Sequence, residues 1–207
     1  MAETRIDLAT WPRADQFRLF RTYAKPHFAT TARVDATHLM GRRKADGVSP
    51  YRACLYAIGA GLHAVPELLT RFRGDTVVRH DSVALSMTVP RDDGGFTFGY
   101  VPFDPDFPRF DAQAARLIAQ AAATPDLKEN AGQRDDVAFL SCLPWLDYTS
   151  LDNAISGPED CIPRISWGRI VDHGTRRDMA MTLEVHHALV DGAHVGRFFA
   201  AVQEALN

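Results

Sequence analysis

The chain has 207 residues, 46% of them hydrophobic and 24% charged, with a formal net charge of −3. This length accommodates one well-buried core and predicts one domain over residues 1–207. The excess of acidic over basic residues excludes a basic nucleic-acid footprint. No apolar run approaches the roughly 20 residues that span a bilayer, and Met1 to Asp7 contain no apolar signal core. Cys54, Cys142 and Cys161 are odd in number and far apart, which disfavours a disulfide framework or a CxxC metal site. A cytoplasmic protein without membrane or nucleic-acid partners is expected.

In chain order, Trp11-Pro12 opens a helix over Arg13 to Tyr23, with Phe17 and Phe20 on one apolar side. Phe28 to Val34 reads as a strand. The basic cluster Arg42-Arg43-Lys44 reads as solvated loop charge. Ser49 caps a helix with Pro50 in its first turn; Cys54, Ala57, Ile58, Gly61 and Leu62 recur at helical spacing until Pro66. Thr76 to Val89 reads as two strands broken near His80-Asp81. Arg91 to Gly95 is a polar turn, and Phe96 to Val101 a further strand. Asp111 is expected to cap a second long helix through Ala123, ended by Thr124-Pro125. Val137 to Leu143 and Arg164 to Val171 read as strands. Helices and strands in mixed order predict an α/β, two-layer domain with a mixed sheet and helices on one face.

Met179 to His187 alternates plainly. Met181, Leu183 and Val185 share a face with His187, while Thr182, Glu184 and His186 face the other way. After Asp191-Gly192 the pattern becomes helical, with Val195, Phe198, Phe199, Val202 and Leu206 in one stripe. The histidine pair therefore sits where a strand ends and a helix begins. His187 has the titratable tip of a general base, and a neutral imidazole can take a proton from a hydroxyl. Chemistry alone favours a hydrogen-bonded structural histidine there, and a helix cap at Asp191. His186, His187, Asp191 and His194 lie close in sequence, but the doublet points to opposite faces and no HExxH is present, so no metal is expected.

The run Glu184-Val-His-His-Ala-Leu-Val-Asp-Gly-Ala-His-Val-Gly-Arg197 resembles the signature of the chloramphenicol acetyltransferase family. His-x-x-x-Asp-Gly alone is shared with dihydrolipoamide acyltransferases; the doublet and the following His-Val-Gly-Arg point to the chloramphenicol branch. Ile6-Asp7, Trp11-Pro12-Arg13, Phe17, Pro66-Glu67-Leu68, Asp81-Ser82-Val83, Leu140 to Trp145 and Thr149-Ser150 are similar to family segments in the same order. The resemblance runs from Ile6 to Leu206.

The resemblance implies acetyl-CoA as co-substrate, and His187 as the base that deprotonates an acceptor hydroxyl for direct attack on the thioester. In the family, the histidine's own backbone carbonyl helps to hold the imidazole tautomer. Asp191 corresponds to the family's aspartate and Arg13 to its arginine partner; removing one of them is expected to leave a buried unpaired charge and cost about 3–5 kcal/mol. Ser141 corresponds to the oxyanion-stabilising serine. Ser166 stands where a threonine often holds a water, Trp145 is placed on the coenzyme channel, and Phe20 and Phe98 are grouped with the pocket. The family is trimeric with sites between subunits, so a homotrimer is implied, with chloramphenicol as acceptor. Pro26 and Asn153 depart from the acceptor-side pattern (cysteine and leucine), Gly47 and Ile170 from the coenzyme-side pattern (lysine and tyrosine). The same chemistry on another alcohol or thiol, and a non-catalytic binding protein on this fold, remain the alternatives.

Overall fold

A computed structural model describes residues 2–91, 93–124 and 134–207. The strands are β1 (Glu3–Ile6), β2 (His27–Asp35), β3 (Thr70–Arg73), β4 (Thr76–His80), β5 (Ala84–Pro90), β6 (Phe96–Pro102), β7 (Val137–Leu143), β8 (Arg164–Gly168), β9 (Val171–Asp172) and β10 (Arg177–His186). The helices are α1 (Ala14–Phe20), α2 (Thr37–Asp46), α3 (Pro50–His63), α4 (Phe107–Ala122) and α5 (Gly192–Leu206), with a 3-10 turn at Pro66–Leu69. Among the described residues, no helix is long and apolar enough to cross a membrane.

The main sheet has the order β2-β10-β8-β7-β5-β6, and β9 pairs with the start of β10. β5, β7 and β8 run parallel to one another, and the remaining neighbours are antiparallel. Register separates its two faces. Met181 and Leu183 on β10, Ile165 on β8, Leu140 on β7 and Met87 on β5 line up on one face and join the core with α3 and α5. Alternation puts apolar side chains there because each strand must bury one face against a helix layer. Gly61 lets α3 and α5 approach closely, since a Cβ there would lie 2.7 Å from Val202 and 2.9 Å from Phe198.

The opposite face carries a row of hydroxyls. Ser141, Ser166, Thr182 and Thr31 are register partners across β7, β8, β10 and β2. The segment between β7 and β8 crosses part of this face. Tyr148 donates its hydroxyl to the Ser166 carbonyl at 2.8 Å, and Arg33 pairs with Asp147 at 2.6 Å.

The mixed sheet-and-helix architecture agrees with expectation; several boundaries do not. The second long helix starts at Phe107, capped by Asp106, whose carboxylate accepts from Arg109 N at 3.0 Å. Pro108 fits that first turn, and Asp111 lies inside the helix, where it binds Arg52 at 2.6 Å. Pro125 lies outside the described residues, as does Asp92 of the polar turn. The first helix is shorter than expected, ending at Phe20 before turns. The cluster Arg42-Arg43-Lys44 sits on α2, not in a loop: the Arg42 guanidinium lies over the Phe107 ring at 5.0 Å. The Arg164 to Val171 strand divides into β8 and β9.

A second sheet, β1-β4-β3, was not anticipated. The fully buried Arg71 of β3 ties it to the main sheet, donating to the carbonyls of Asp135, Val137, Leu68 and Thr70. Four carbonyl acceptors replace water around that guanidinium, as a buried cation requires.

Candidate active site

β10 ends at His186, and His187 begins the turn into α5. His187 N still donates to the Pro26 carbonyl at 2.9 Å, one step beyond the β2–β10 ladder. The His187 ring stacks on Phe20, with centroids 3.8 Å apart and planes within 7°, and lies tilted against Phe28 at 4.8 Å. The ring thus lies on the side of Val185 and Phe28, as strand alternation requires. Its Nδ1 lies 3.1 Å from the Val190 carbonyl. A carbonyl can only accept, so Nδ1 carries the proton and the Nε2 lone pair is left available. Nε2 makes no hydrogen bond among the described residues. The residue's own carbonyl, to which the resemblance gave part of the tautomer-holding role, accepts from Arg13.

The Arg13 guanidinium reads the turn at three points. It donates to Asp191 Oδ2 at 2.7 Å, to the His187 carbonyl at 2.8 Å and to the Ala188 carbonyl at 3.1 Å. A rigid planar fork can satisfy divergent acceptors in this way, which a lysine cannot. Asp191 is also the N-cap of α5: Oδ1 accepts from Ala193 N at 3.1 Å, and its own N–H donates to His194 Nδ1 at 3.0 Å. The capping role and the arginine pair therefore coexist on two oxygens of one carboxylate. Burial opposes ionisation of Asp191, but the Arg13 hydrogen bond and the facing charges outweigh it and hold the carboxyl below the usual range. Its side chain is 40% exposed, against 11% for Arg13. The pair is only half-buried, so the ion pair alone costs less than the expected 3–5 kcal/mol.

The doublet is divided as the strand period requires. His186 is buried on the other face, against the rings of His27 and Phe72, with Nε2 2.9 Å from the Pro158 carbonyl. Burial pulls its pKa down to about 4. Among the described residues, no group of three or more His, Cys, Asp or Glu is placed to hold a metal ion.

Arg13, Phe20, His187 and Asp191 therefore form one cluster. Ser141 and Ser166 form another, as neighbours on parallel strands. Within one chain these clusters do not meet. The serine row crosses β10 at Thr182, five residues before His187 and on the opposite face. With β8 intervening, strand spacings of about 4.8 Å and rises of about 3.3 Å place the two Cα atoms roughly 15–20 Å apart. Phe98 lies on the edge strand β6, edge-on to the exposed Phe96. Trp145 is 76% exposed, so core packing does not account for it.

Two predicted departures acquire contacts. Gly47 closes α2 in the left-handed region at φ 71°, where a side chain would be strained. Ile170 lines a cleft of about 390 Å³ with Met40, Arg43, Tyr51, Trp167 and Arg169. Glu184 was placed on the polar face but given no role. It is buried, and its Oε2 accepts from both the backbone N and Nδ2 of Asn153 at 2.8 Å. Its signal in sequence is a carboxylate on the polar face of the strand that leads to the histidine doublet.

The family model for chloramphenicol acetyltransferase matches residues 1–203. Chloramphenicol acetyltransferase 2 of Escherichia coli is 26% identical over 202 residues, covering 97% of this chain and 95% of that protein. Chloramphenicol acetyltransferase of Streptomyces acrimycini is 28% identical over 205 residues, covering 97% and 93%. A solved chloramphenicol acetyltransferase superposes with a TM-score of 0.93 at 24% identity over the whole of both chains, which shows the fold. The chain is thus an enzyme of the acetyltransferase class, a member of the chloramphenicol acetyltransferase family.

Proposed function

We propose that the chain transfers the acetyl group of acetyl-CoA to a hydroxyl of chloramphenicol, with His187 as general base. The observation that carries this reading is the Nδ1 contact to the Val190 carbonyl, which leaves the Nε2 lone pair for the acceptor. Nε2 removes the hydroxyl proton, and the oxygen attacks the thioester carbonyl carbon. Collapse of the tetrahedral intermediate expels the CoA thiolate, which takes the proton back from the imidazolium. Stacking on Phe20 and the Arg13 grip on the turn fix the ring, so orientation supplies much of the rate.

Ser141 donates a hydrogen bond to the oxyanion from a neighbouring subunit of a homotrimer. The separation of Ser141 from His187 within one chain supports this, as do the exposed Trp145, Phe96, Leu146 and Tyr23. The cleft beside Arg43, Arg169 and Ile170 suits the coenzyme because it carries two cations for phosphate. The free thiols at Cys54, Cys142 and Cys161 suit a reducing cytoplasm.

The test is thiol release from acetyl-CoA with and without chloramphenicol, in the wild type and His187→Ala. Chloramphenicol-dependent release that vanishes in the variant is the expected result, and full activity in the variant overturns the mechanism. A second reading, the same chemistry on a more polar alcohol or thiol, is favoured by the hydrogen-bonded Asn153. Turnover of such an acceptor with none of chloramphenicol would replace the first reading with the second.

A further inference from the structure

Glu184, Asn153 and Ser166 form a directed chain of hydrogen bonds on the face that carries Ser141. Glu184 Oε2 lies 2.8 Å from both Asn153 N and Asn153 Nδ2, and Asn153 Oδ1 lies 3.2 Å from Ser166 Oγ. Each direction follows from the one before. A carboxylate oxygen held by two N–H groups is an acceptor, so the amide nitrogen of Asn153 must face Glu184 and its oxygen must face Ser166. That oxygen can only accept, so Ser166 spends its single proton on Asn153. Glu184 and Ser166 are both within 2% of full burial, so water competes little for these bonds. Tyr148 adds a second restraint by bonding the Ser166 carbonyl.

We propose that Glu184 is a positioning residue, which acts through Asn153 to hold Ser166 Oγ as a hydrogen-bond acceptor beside Ser141. This rests on the acetyl-transfer reading above. Ser166 Oγ then keeps lone pairs, and no proton, on its Ser141 side. On that side it can accept but not donate, and it leaves donation to the oxyanion to Ser141. Ser166 is the register partner of Ser141, so this polarity lies directly beside the proposed reacting centre. Without Glu184, the Asn153 amide is free to turn over, and Ser166 can point its proton the other way.

The experiment is a double-mutant cycle on the full-length enzyme, with thiol release from acetyl-CoA measured against chloramphenicol. Glu184→Ala is expected to lower kcat about tenfold, with the KM for acetyl-CoA unchanged. Glu184→Gln can still accept from both Asn153 donors and should recover kcat to within about twofold of wild type. In a Ser166→Ala background, Glu184→Ala should cost nothing further, because its effect passes through the missing hydroxyl. A folded Glu184→Ala enzyme with wild-type kcat overturns the proposal, and so does a loss that multiplies with that of Ser166→Ala. If Glu184→Ala does not fold, Asn153→Ala takes its place in the same cycle with the same expectation. A wild type that releases no thiol overturns the acetyl-transfer reading itself; an active wild type beside an indifferent Glu184→Ala overturns this proposal alone.

Discussion

Replacing Arg13 by methionine should harm the protein more than replacing Asp191 by asparagine, although the two residues form one ion pair. Methionine keeps the apolar stem of Arg13 and removes three donors. The carbonyls of His187 and Ala188, at 2.8 and 3.1 Å, then lose their charged partner. At about 1–2 kcal/mol for each such bond, the two together come to roughly 3 kcal/mol. Asp191 itself is 40% exposed and is rehydrated when Arg13 goes, which adds little. Asparagine at 191 keeps the side-chain oxygen that caps α5 and leaves Arg13 its two carbonyls. The half-solvated ion pair is lost, and the amide nitrogen that replaces Oδ2 must turn from Arg13 toward solvent, together about 1 kcal/mol.

Urea unfolding should separate the two variants by about 2 kcal/mol, measured at one fixed protein concentration because an oligomer's stability depends on it. The same turn carries Val190, whose carbonyl holds His187 Nδ1. Loosening it should lower kcat about 100-fold in Arg13→Met and about tenfold in Asp191→Asn, with little change in the KM for acetyl-CoA. Equal stability losses in the two variants would refute the reasoning, because the ion pair rather than the carbonyl grip would then hold the turn. A wild-type kcat in Arg13→Met would show that the clamp does not position the imidazole.

Ser141→Ala should lower kcat by about 10²–10³ without altering the melting temperature, as expected for one lost oxyanion donor; a loss under threefold removes that role. Mixed assemblies of Ser141→Ala and His187→Ala subunits, refolded together, should regain activity that neither variant has alone, because an intersubunit site can pair an intact serine with an intact histidine. No recovery, with mixed assembly confirmed by mass, refutes a shared site. His186→Gln should flatten the acid slope of stability. Burial holds the folded pKa near 4, whereas the unfolded chain takes up the proton near 6.5, so stability is lost as pH falls between these values. A difference of about 2.5 units corresponds to about 3 kcal/mol, and an unchanged urea-unfolding slope from pH 7 to 4 would place the loss in other groups.

The strand that carries the candidate base was legible because its alternation is strict. Met181, Leu183 and Val185 had to share one face with His187, and His186 had to leave it. Nothing in that period names what surrounds the ring. Phe20 and Phe28 come from α1 and β2, and the Arg13 contacts join residues 174 to 178 positions apart. The resemblance supplied the Arg13–Asp191 pair, but its grip on two backbone carbonyls depends on the path of the turn, which no spacing encodes. The α4 start was misplaced because Asp106 and Asp111 are both acceptable caps in sequence. Pro108 decides between them only once it is placed in the first turn. The β1-β4-β3 sheet was overlooked for a similar reason: short edge segments such as Glu3–Ile6 and Thr70–Arg73 have charged residues in an extended chain, and their strand character comes from pairing.

The two half-sites explain why residues with such different local signals can serve one proposed reaction. The His187 half depends on backbone geometry at a strand end, and most of its contacts are to carbonyls and rings. The Ser141 half depends on strand register: Ser141, Ser166 and Thr182 are aligned because parallel and antiparallel ladders bring hydroxyls to one level. A one-residue slip of β7 would send Ser141 into the core and Cys142 or Leu140 outward. Parallel pairing of β7 between β5 and β8 therefore does the work in one half that the Arg13 clamp does in the other. The two halves lie on opposite faces of the sheet within one chain. On the proposed reading, assembly rather than a conformational change within the chain completes the site, so subunit association should be a condition of turnover.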